Sequence, residues 1–159
     1  MTRSHPEDSS TRRRVLVVGL LGLLPWTVIL SGREATFVFA FGLVNTDPLH
    51  LTDLYSYLFV YTAGLPNRLQ AWPAGVLLYA GALASALLGL LDREDPRLTG
   101  GLLFFAGLSH AQVAFGLYRA YGFGASGTAV LPVGALATWA VVWWVYWPAM
   151  KERGLGPLE

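Results

Sequence analysis

The sequence predicts an all-α integral membrane protein, built as a four-helix transmembrane bundle with an outer interfacial helix between spans one and two. Three observations predict this fold class. Of the 159 residues, 54% are hydrophobic and 13% are charged, about half the charged fraction of a soluble domain. The apolar residues fall into four long blocks, and most charged residues lie between or outside them. Each block approaches the ~20 residues that a helix needs to cross a bilayer.

The four blocks give the boundaries of the predicted spans, which are about 15–31, 72–91, 98–118 and 128–150. Together they use roughly half of the chain, so the sequence predicts a single membrane domain over residues 1–159. Tails at 1–14 and 151–159 and an outer segment at 32–71 complete it.

The first block allows a second interpretation. Arg12, Arg13 and Arg14, followed by 15–31, fit the charged and apolar regions of a secretory signal peptide. The apolar run is longer than such regions usually are, and Ser31–Ala35 is a poor cleavage site. We therefore expect the block to remain as a membrane anchor.

The basic residues predict the orientation. With the N-terminus inside, eight of the eleven Lys and Arg residues lie on the cytoplasmic side, and only Arg33, Arg68 and Arg119 lie outside. Positive charge collects in cytoplasmic loops. We therefore expect a multi-pass protein of the plasma membrane with both termini in the cytoplasm.

The outer segment has an order of its own. Ala35–Val44 is apolar but too short to span as a helix, and Asn45–Pro48 has the composition of a turn. Leu51–Ala63 has the apolar spacing of a helix, with Thr52 or Asp53 near its start, and tyrosine favours the membrane interface. An alternative is that 32–44 continues the first span as a broken helix, although charges at its start argue against it.

Span two carries small residues in four-residue register, Gly81, Ser85 and Gly89. Such a stripe lets another helix approach closely. It predicts a helix-packing face, whose partner is either within this chain or in another copy.

Six tryptophans lie near the predicted membrane edges. Because tryptophan is enriched at such interfaces, we predict interfacial anchors at Trp26, Trp72, Trp139, Trp143, Trp144 and Trp147. A tryptophan-lined cofactor or quinone site is the alternative for the last four.

Polar side chains at membrane depth are few, and the notable ones are Ser109, His110, Gln112 and Arg119. They form a candidate intramembrane polar site. Neither a metal nor a haem is predicted, because the other histidines lie outside the spans. The structural alternative is an interhelical hydrogen bond worth ~1 kcal/mol.

Enzyme signatures are absent from the sequence. It has no Walker loop, dinucleotide fingerprint, HExxH or GxSxG motif, and no cysteine for thiol chemistry. Asp47, His50 and Asp53 resemble a site by residue type, but turn and helix-cap roles suit them better. A net charge of +1 gives no reason to expect nucleic acid. The prediction is therefore no enzymatic activity and no cofactor.

Five segments resemble a known family when taken together: FAFGLVNTDP, YLFVYTAGLP, LLDREDPRLTGGLL, LSHAQVAFGL and WWVYWP. From about Arg14 to Pro148 the chain resembles an uncharacterised family of small haloarchaeal multi-pass membrane proteins. The resemblance implies an archaeal plasma membrane and about four spans, and it brings no assigned activity.

The predicted function is that of a non-enzymatic accessory or assembly subunit that acts through helix association. Its partners would be the lipid bilayer and either another membrane protein or a second copy. The alternative is a small oligomeric transporter or channel that uses the polar cluster of span three. A lipid-modifying enzyme using Asp47, His50 and Asp53 ranks third.

Overall fold

The fold is mixed α/β, in a computed structural model that describes residues 6–60, 66, 69–122 and 127–154. The elements follow in the order α1 (Pro6–Leu21), β1 (Thr27–Ser31), β2 (Glu34–Val38), β3 (Gly42–Thr46), β4 (Leu49–Asp53), α2 (Leu54–Phe59), α3 (Ala71–Leu88), α4 (Pro96–Leu117), β5 (Thr128–Leu131), α5 (Val133–Val141) and α6 (Trp147–Gly154). The predicted all-α four-helix bundle is wrong, because five of these elements pair into one antiparallel sheet.

Three helices within the described residues are long and apolar enough to cross a membrane, where the sequence predicted four. They are Ala71–Leu91, Pro96–Tyr121 and Val133–Lys151. The third is α5 continued through a π-helical segment into α6. Pro148 lies two residues after that segment ends at Tyr146, and a wider turn before it relieves the clash that a proline ring makes with the preceding turn of an α-helix.

The predicted first span is part helix and part strand. α1 ends at Leu21, and Thr27–Ser31 forms β1. Pro25 lacks an N–H and disfavours a helical conformation for the residue before it. A short apolar run has the same hydropathy in a strand as in a helix, so hydropathy alone predicts one span over 15–31.

Val18 and Leu21 at the end of α1 are buried, whereas Leu20 is exposed. The last four carbonyl groups of a helix have no partner within the helix itself. The two middle carbonyls accept from the turn that follows. The Gly22 amide donates to Gly19 and the Leu23 amide donates to Leu20, both at 3.1 Å.

Side chains satisfy the other two carbonyls. The Tyr79 hydroxyl of α3 donates to the Val18 carbonyl at 2.9 Å, and the Trp26 indole donates to the Leu21 carbonyl at 3.2 Å. Each of the last four carbonyls of α1 is therefore paired.

The sheet has the strand order β4-β3-β2-β1-β5, and every pair of neighbours is antiparallel. β1 to β4 form a meander, and β5 pairs with β1 after the chain has passed through α3 and α4. The turn between β3 and β4 contains a cis peptide bond between Asp47 and Pro48. The described part of the predicted outer segment 32–71 thus contains three of the five strands.

The predicted interfacial helix at 51–63 begins later than expected in the described part of the chain. Leu51–Asp53 belongs to β4, which pairs with β3 along its whole length. Six residues remain as α2, and the end predicted at Gly64–Asn67 lies largely outside the described residues. Asp53 caps α2 by accepting the Ser56 amide at 2.9 Å, and this bonding to Ser56 lowers the pKa of Asp53.

The helices have two distinct ends. One carries the α3–α4 turn, and Arg14 of α1 reaches it through an ion pair with Glu94 at 3.2 Å. The buried Tyr146, in the π-helical segment, lies beside the same carboxylate. We call this the turn end and the opposite end, which carries the sheet, the sheet end. Both described chain ends therefore lie at the turn end.

Candidate functional site

One candidate site is a cavity of about 440 Å³ at the sheet end, which we call the sheet pocket. It lies between one face of the sheet, the inner face, and the ends of the helices. Its lining residues are Ile29, Ser31, Glu34, Thr36, Val38, Leu43, Asn45, Tyr57, Leu69, Leu117, Tyr121 and Thr128.

Strand alternation puts the sheet residues of the pocket on one side. Successive side chains in a strand point to opposite faces, so Glu34, Thr36 and Val38 all face inward. Register aligns the neighbouring strands, because Thr36 lies opposite both Ile29 and Asn45. The inner face is therefore a continuous wall across β1, β2 and β3.

The pocket has an apolar floor. Val38, Leu69 and Leu117 line it and are almost fully buried, and they join the hydrophobic core of the helices. Volumes of 300–1,000 Å³ with mostly apolar walls are typical of small-molecule sites.

The polar groups of the pocket are mainly neutral and already paired with one another. The Thr36 hydroxyl donates to the Asn45 side-chain oxygen at 2.8 Å, and Ser31 and Thr128 share a hydrogen bond of 3.1 Å. Glu34 is the one Asp, Glu, Lys, Arg or His among the described lining residues. The site therefore suits an amphipathic ligand whose polar part is neutral or cationic.

A second cavity, of about 360 Å³, borders Glu34, Thr36 and Asn45 and also contains Asp47 and His50. Asp53, the third residue of the enzymatic site that the sequence offered as a possibility, instead caps α2. The three side chains therefore do not form one site. The described residues contain no cluster of three His, Cys, Asp or Glu side chains able to hold a metal ion.

The predicted intramembrane polar residues do not lie together. His110 is buried with its ring stacked on Trp26 at a centroid distance of 3.8 Å. Gln112 is exposed, and the exposed Arg119 lies 6.0 Å from the Phe115 ring. These residues line no common path.

His110 itself is enclosed by small residues. A Cβ on Gly75 of α3 would lie 3.1 Å from its ring and 3.2 Å from Ser109, and the Gly134 backbone lies on another side. In the described part of the chain, neither ring nitrogen makes a hydrogen bond of ordinary geometry. The imidazole is packed as an aromatic ring between Trp26 and two glycines.

The small-residue stripe of α3 contacts this chain's own residues. Ser85 and Thr99 of α4 share a buried hydrogen bond of 2.7 Å. A Cβ on Gly81 would lie 3.5 Å from Leu102, and one on Gly89 would lie 3.0 Å from Glu94. The stripe therefore serves packing of α3 on α4 and on the turn between them.

The six tryptophans occupy different environments. Trp26 and Trp72 are 2% and 1% exposed, which puts them inside the protein and not at a lipid-facing edge. The Trp72 indole donates to the Phe39 carbonyl at 3.0 Å, because a buried indole N–H needs a partner.

The other four lie on the third span. The Trp139 indole donates to the Phe104 carbonyl of α4 at 3.2 Å. Trp143, Trp144 and Trp147 are exposed, with Trp143 and Trp147 stacked at 5.7 Å and Lys151 over the Trp147 ring. These three have the exposure that interfacial anchors require.

The sequence reasoning missed the polar residues of the sheet pocket. A signal was available, since Glu34-Ala35-Thr36-Phe37-Val38 alternates in the period of two that is typical of a strand. Which face of this strand the helices cover depends on α4, which is distant in the sequence.

Comparison with known proteins gives a family and no activity. No curated protein matches the chain. The sequence model of one family, described as a domain of unknown function, matches residues 1–155. The chain therefore belongs to that family, DUF8050.

Proposed function

We propose that the protein is a non-enzymatic multi-pass membrane protein that binds a small amphipathic molecule in the sheet pocket. The observation that carries the proposal is the pocket itself, about 440 Å³ with an apolar floor and paired hydroxyl and amide groups. Among the described lining residues the carboxylate is that of Glu34, which favours a neutral or cationic polar group over an anionic one.

The membrane placement is part of the proposal. Three long apolar helices support it. The arginines of α1 lie toward the turn end with Arg93 and Arg97, whereas Arg33 and Arg119 lie toward the sheet end. Under the positive-inside rule the turn end is cytoplasmic, so the pocket opens on the outer side of the plasma membrane.

A cysteine-protection experiment tests the pocket. The chain has no cysteine, so Leu43→Cys in the pocket and Leu49→Cys outside it each give one reactive thiol. In lipid nanodiscs, octyl glucoside and octyltrimethylammonium are expected to slow maleimide labelling at position 43 and not at 49. Octyl sulfate is expected to have less effect, because its charge matches that of Glu34. Equal labelling rates with and without all three probes would overturn the proposal.

An accessory-subunit function is a second proposal, favoured by the opposite, outer face of the sheet. Register aligns Leu131, Val28, Phe37, Val44 and Leu51 in one apolar row across all five strands. Leu131 and Leu51, at the two ends of the row, are exposed, whereas Val28 in the row is buried. Exposed apolar side chains on such a face favour a partner, and a second copy using the same face would cover them by two-fold symmetry. Light scattering should then give a dimer for the wild type and a monomer for Leu51→Asp. A monomeric wild type would contradict it.

A further inference from the structure

A second cavity with a different chemistry lies at the turn end. It has a volume of about 310 Å³ and separates α1 from the segment that joins α5 to α6. We call it the arginine cleft. Its lining includes Ser10, Arg13, Arg14, Trp144, Pro148 and Ala149.

One side of the cleft is cationic. Arg14 is held by its ion pair with Glu94, in which one guanidinium nitrogen lies 3.2 Å from a carboxylate oxygen. A guanidinium carries five N–H donors, so this pairing leaves further donors on a group whose position is fixed. Because Glu94 offsets the charge of Arg14, the exposed Arg13 is the main source of positive charge in the cleft.

The other side is apolar. Trp144 is 72% exposed, and its neighbour Trp143 is also exposed. Pro148 and Ala149 extend this wall toward α6. An exposed tryptophan beside arginine is typical of the level at which lipid headgroups meet acyl chains.

We propose that the arginine cleft binds the headgroup of an anionic phospholipid, with Arg13 and Arg14 contacting the phosphate and Trp144 contacting the glycerol and upper acyl region. Guanidinium groups suit phosphate because their planar donors match its oxygens. A soluble phosphate would use the arginines and leave the apolar wall uncovered, so the lipid accounts for both sides of the cleft. The proposal rests on the membrane placement above and is independent of the sheet pocket.

Spin-labelled lipids test the proposal on the full chain. The protein is reconstituted in phosphatidylcholine with a trace of spin-labelled phosphatidylglycerol or spin-labelled phosphatidylcholine, and electron paramagnetic resonance gives the relative association constant of each. The wild type should prefer phosphatidylglycerol. Arg13→Gln should lower that preference about two- to fivefold, the effect of removing one exposed ion pair between a guanidinium and a lipid phosphate.

Arg97→Gln is the matched control, because it removes the same charge at the same end outside the lining of the cleft. It should leave the preference close to the wild-type value. An equal loss in both variants would overturn the proposal in favour of general surface attraction. A wild-type protein that shows no preference for phosphatidylglycerol would also overturn the proposal, and this result does not require any variant to fold.

Inorganic phosphate separates a lipid from a free anion. At matched ionic strength set with chloride, adding phosphate should not displace the spin-labelled phosphatidylglycerol. Displacement by phosphate would overturn the lipid assignment and indicate a soluble phosphate site.

Discussion

At the residue scale, the most informative contact is the one between Tyr79 and the end of α1. The hydroxyl serves a backbone carbonyl that the helix itself cannot satisfy, at a place buried from water. A hydropathy profile does not reveal this role of the hydroxyl, because it counts tyrosine as one more aromatic residue in an apolar run. His110 is the opposite case. Its polarity suggests a functional site, but its contacts are those of a packed aromatic ring.

Removing that hydroxyl gives the first prediction. Tyr79→Phe should destabilise the protein by about 1–3 kcal/mol, because the buried Val18 carbonyl loses its donor. Tryptophan fluorescence during unfolding in sodium dodecyl sulfate measures the change. Tyr55→Phe is the control, because Tyr55 is exposed, and it should be nearly neutral. If the two variants unfold alike, the hydroxyl does not support the helix end.

At the scale of elements, the packing of α4 on the third span depends on glycines that the sequence did not single out. A Cβ on Gly107 would lie 2.5 Å from the Trp139 indole nitrogen and 2.8 Å from a ring carbon. The helices approach closely at this point, and the Trp139 hydrogen bond to α4 depends on that approach.

Two glycines of the same helix therefore give opposite predictions. Gly107→Ala should destabilise the protein by about 1–3 kcal/mol, since the added methyl group overpacks a filled site. Gly101→Ala has nothing within 4 Å of the new Cβ, so the better helix propensity of alanine should leave stability unchanged or raise it by up to about 1 kcal/mol. The same unfolding assay compares them. A larger loss of stability in Gly101→Ala than in Gly107→Ala would contradict the described packing.

At the scale of the whole molecule, the two ends of the helices differ in charge and in shape. The turn end carries the arginines and the arginine cleft, and the sheet end carries the sheet pocket. This asymmetry ties each proposed ligand to one side of the membrane.

The proposed placement predicts opposite labelling of two positions. In intact cells, a membrane-impermeant maleimide should label Leu49→Cys and should label Arg93→Cys, at the turn end but outside the lining of the arginine cleft, only after the cells are opened. Both substituted residues are exposed in the protein, so access depends on the membrane alone. Labelling of both positions, or of neither, in intact cells would contradict the placement.

Much of the helical part could be predicted from the sequence. Spans at 72–91, 98–118 and 128–150 overlap the three long apolar helices, because a long apolar block with few charges has few other stable structures. The start of the last apolar block nevertheless forms β5, and the end of the first apolar block forms β1. Both strands are apolar, so composition alone cannot separate them from the adjoining helices.

Composition and the order of residues are enough to establish that long apolar helices dominate, that thiol chemistry is absent, and that basic residues collect around the chain ends and the α3–α4 turn. That the strands within 27–53 and 128–131 form one sheet depends on the folded chain, because β1 must pair with β5, about 100 positions away. The sheet pocket follows from that pairing and from the position of Leu117. Local pattern specifies helices through contacts three and four residues apart, whereas strands are specified by partners that only folding brings together.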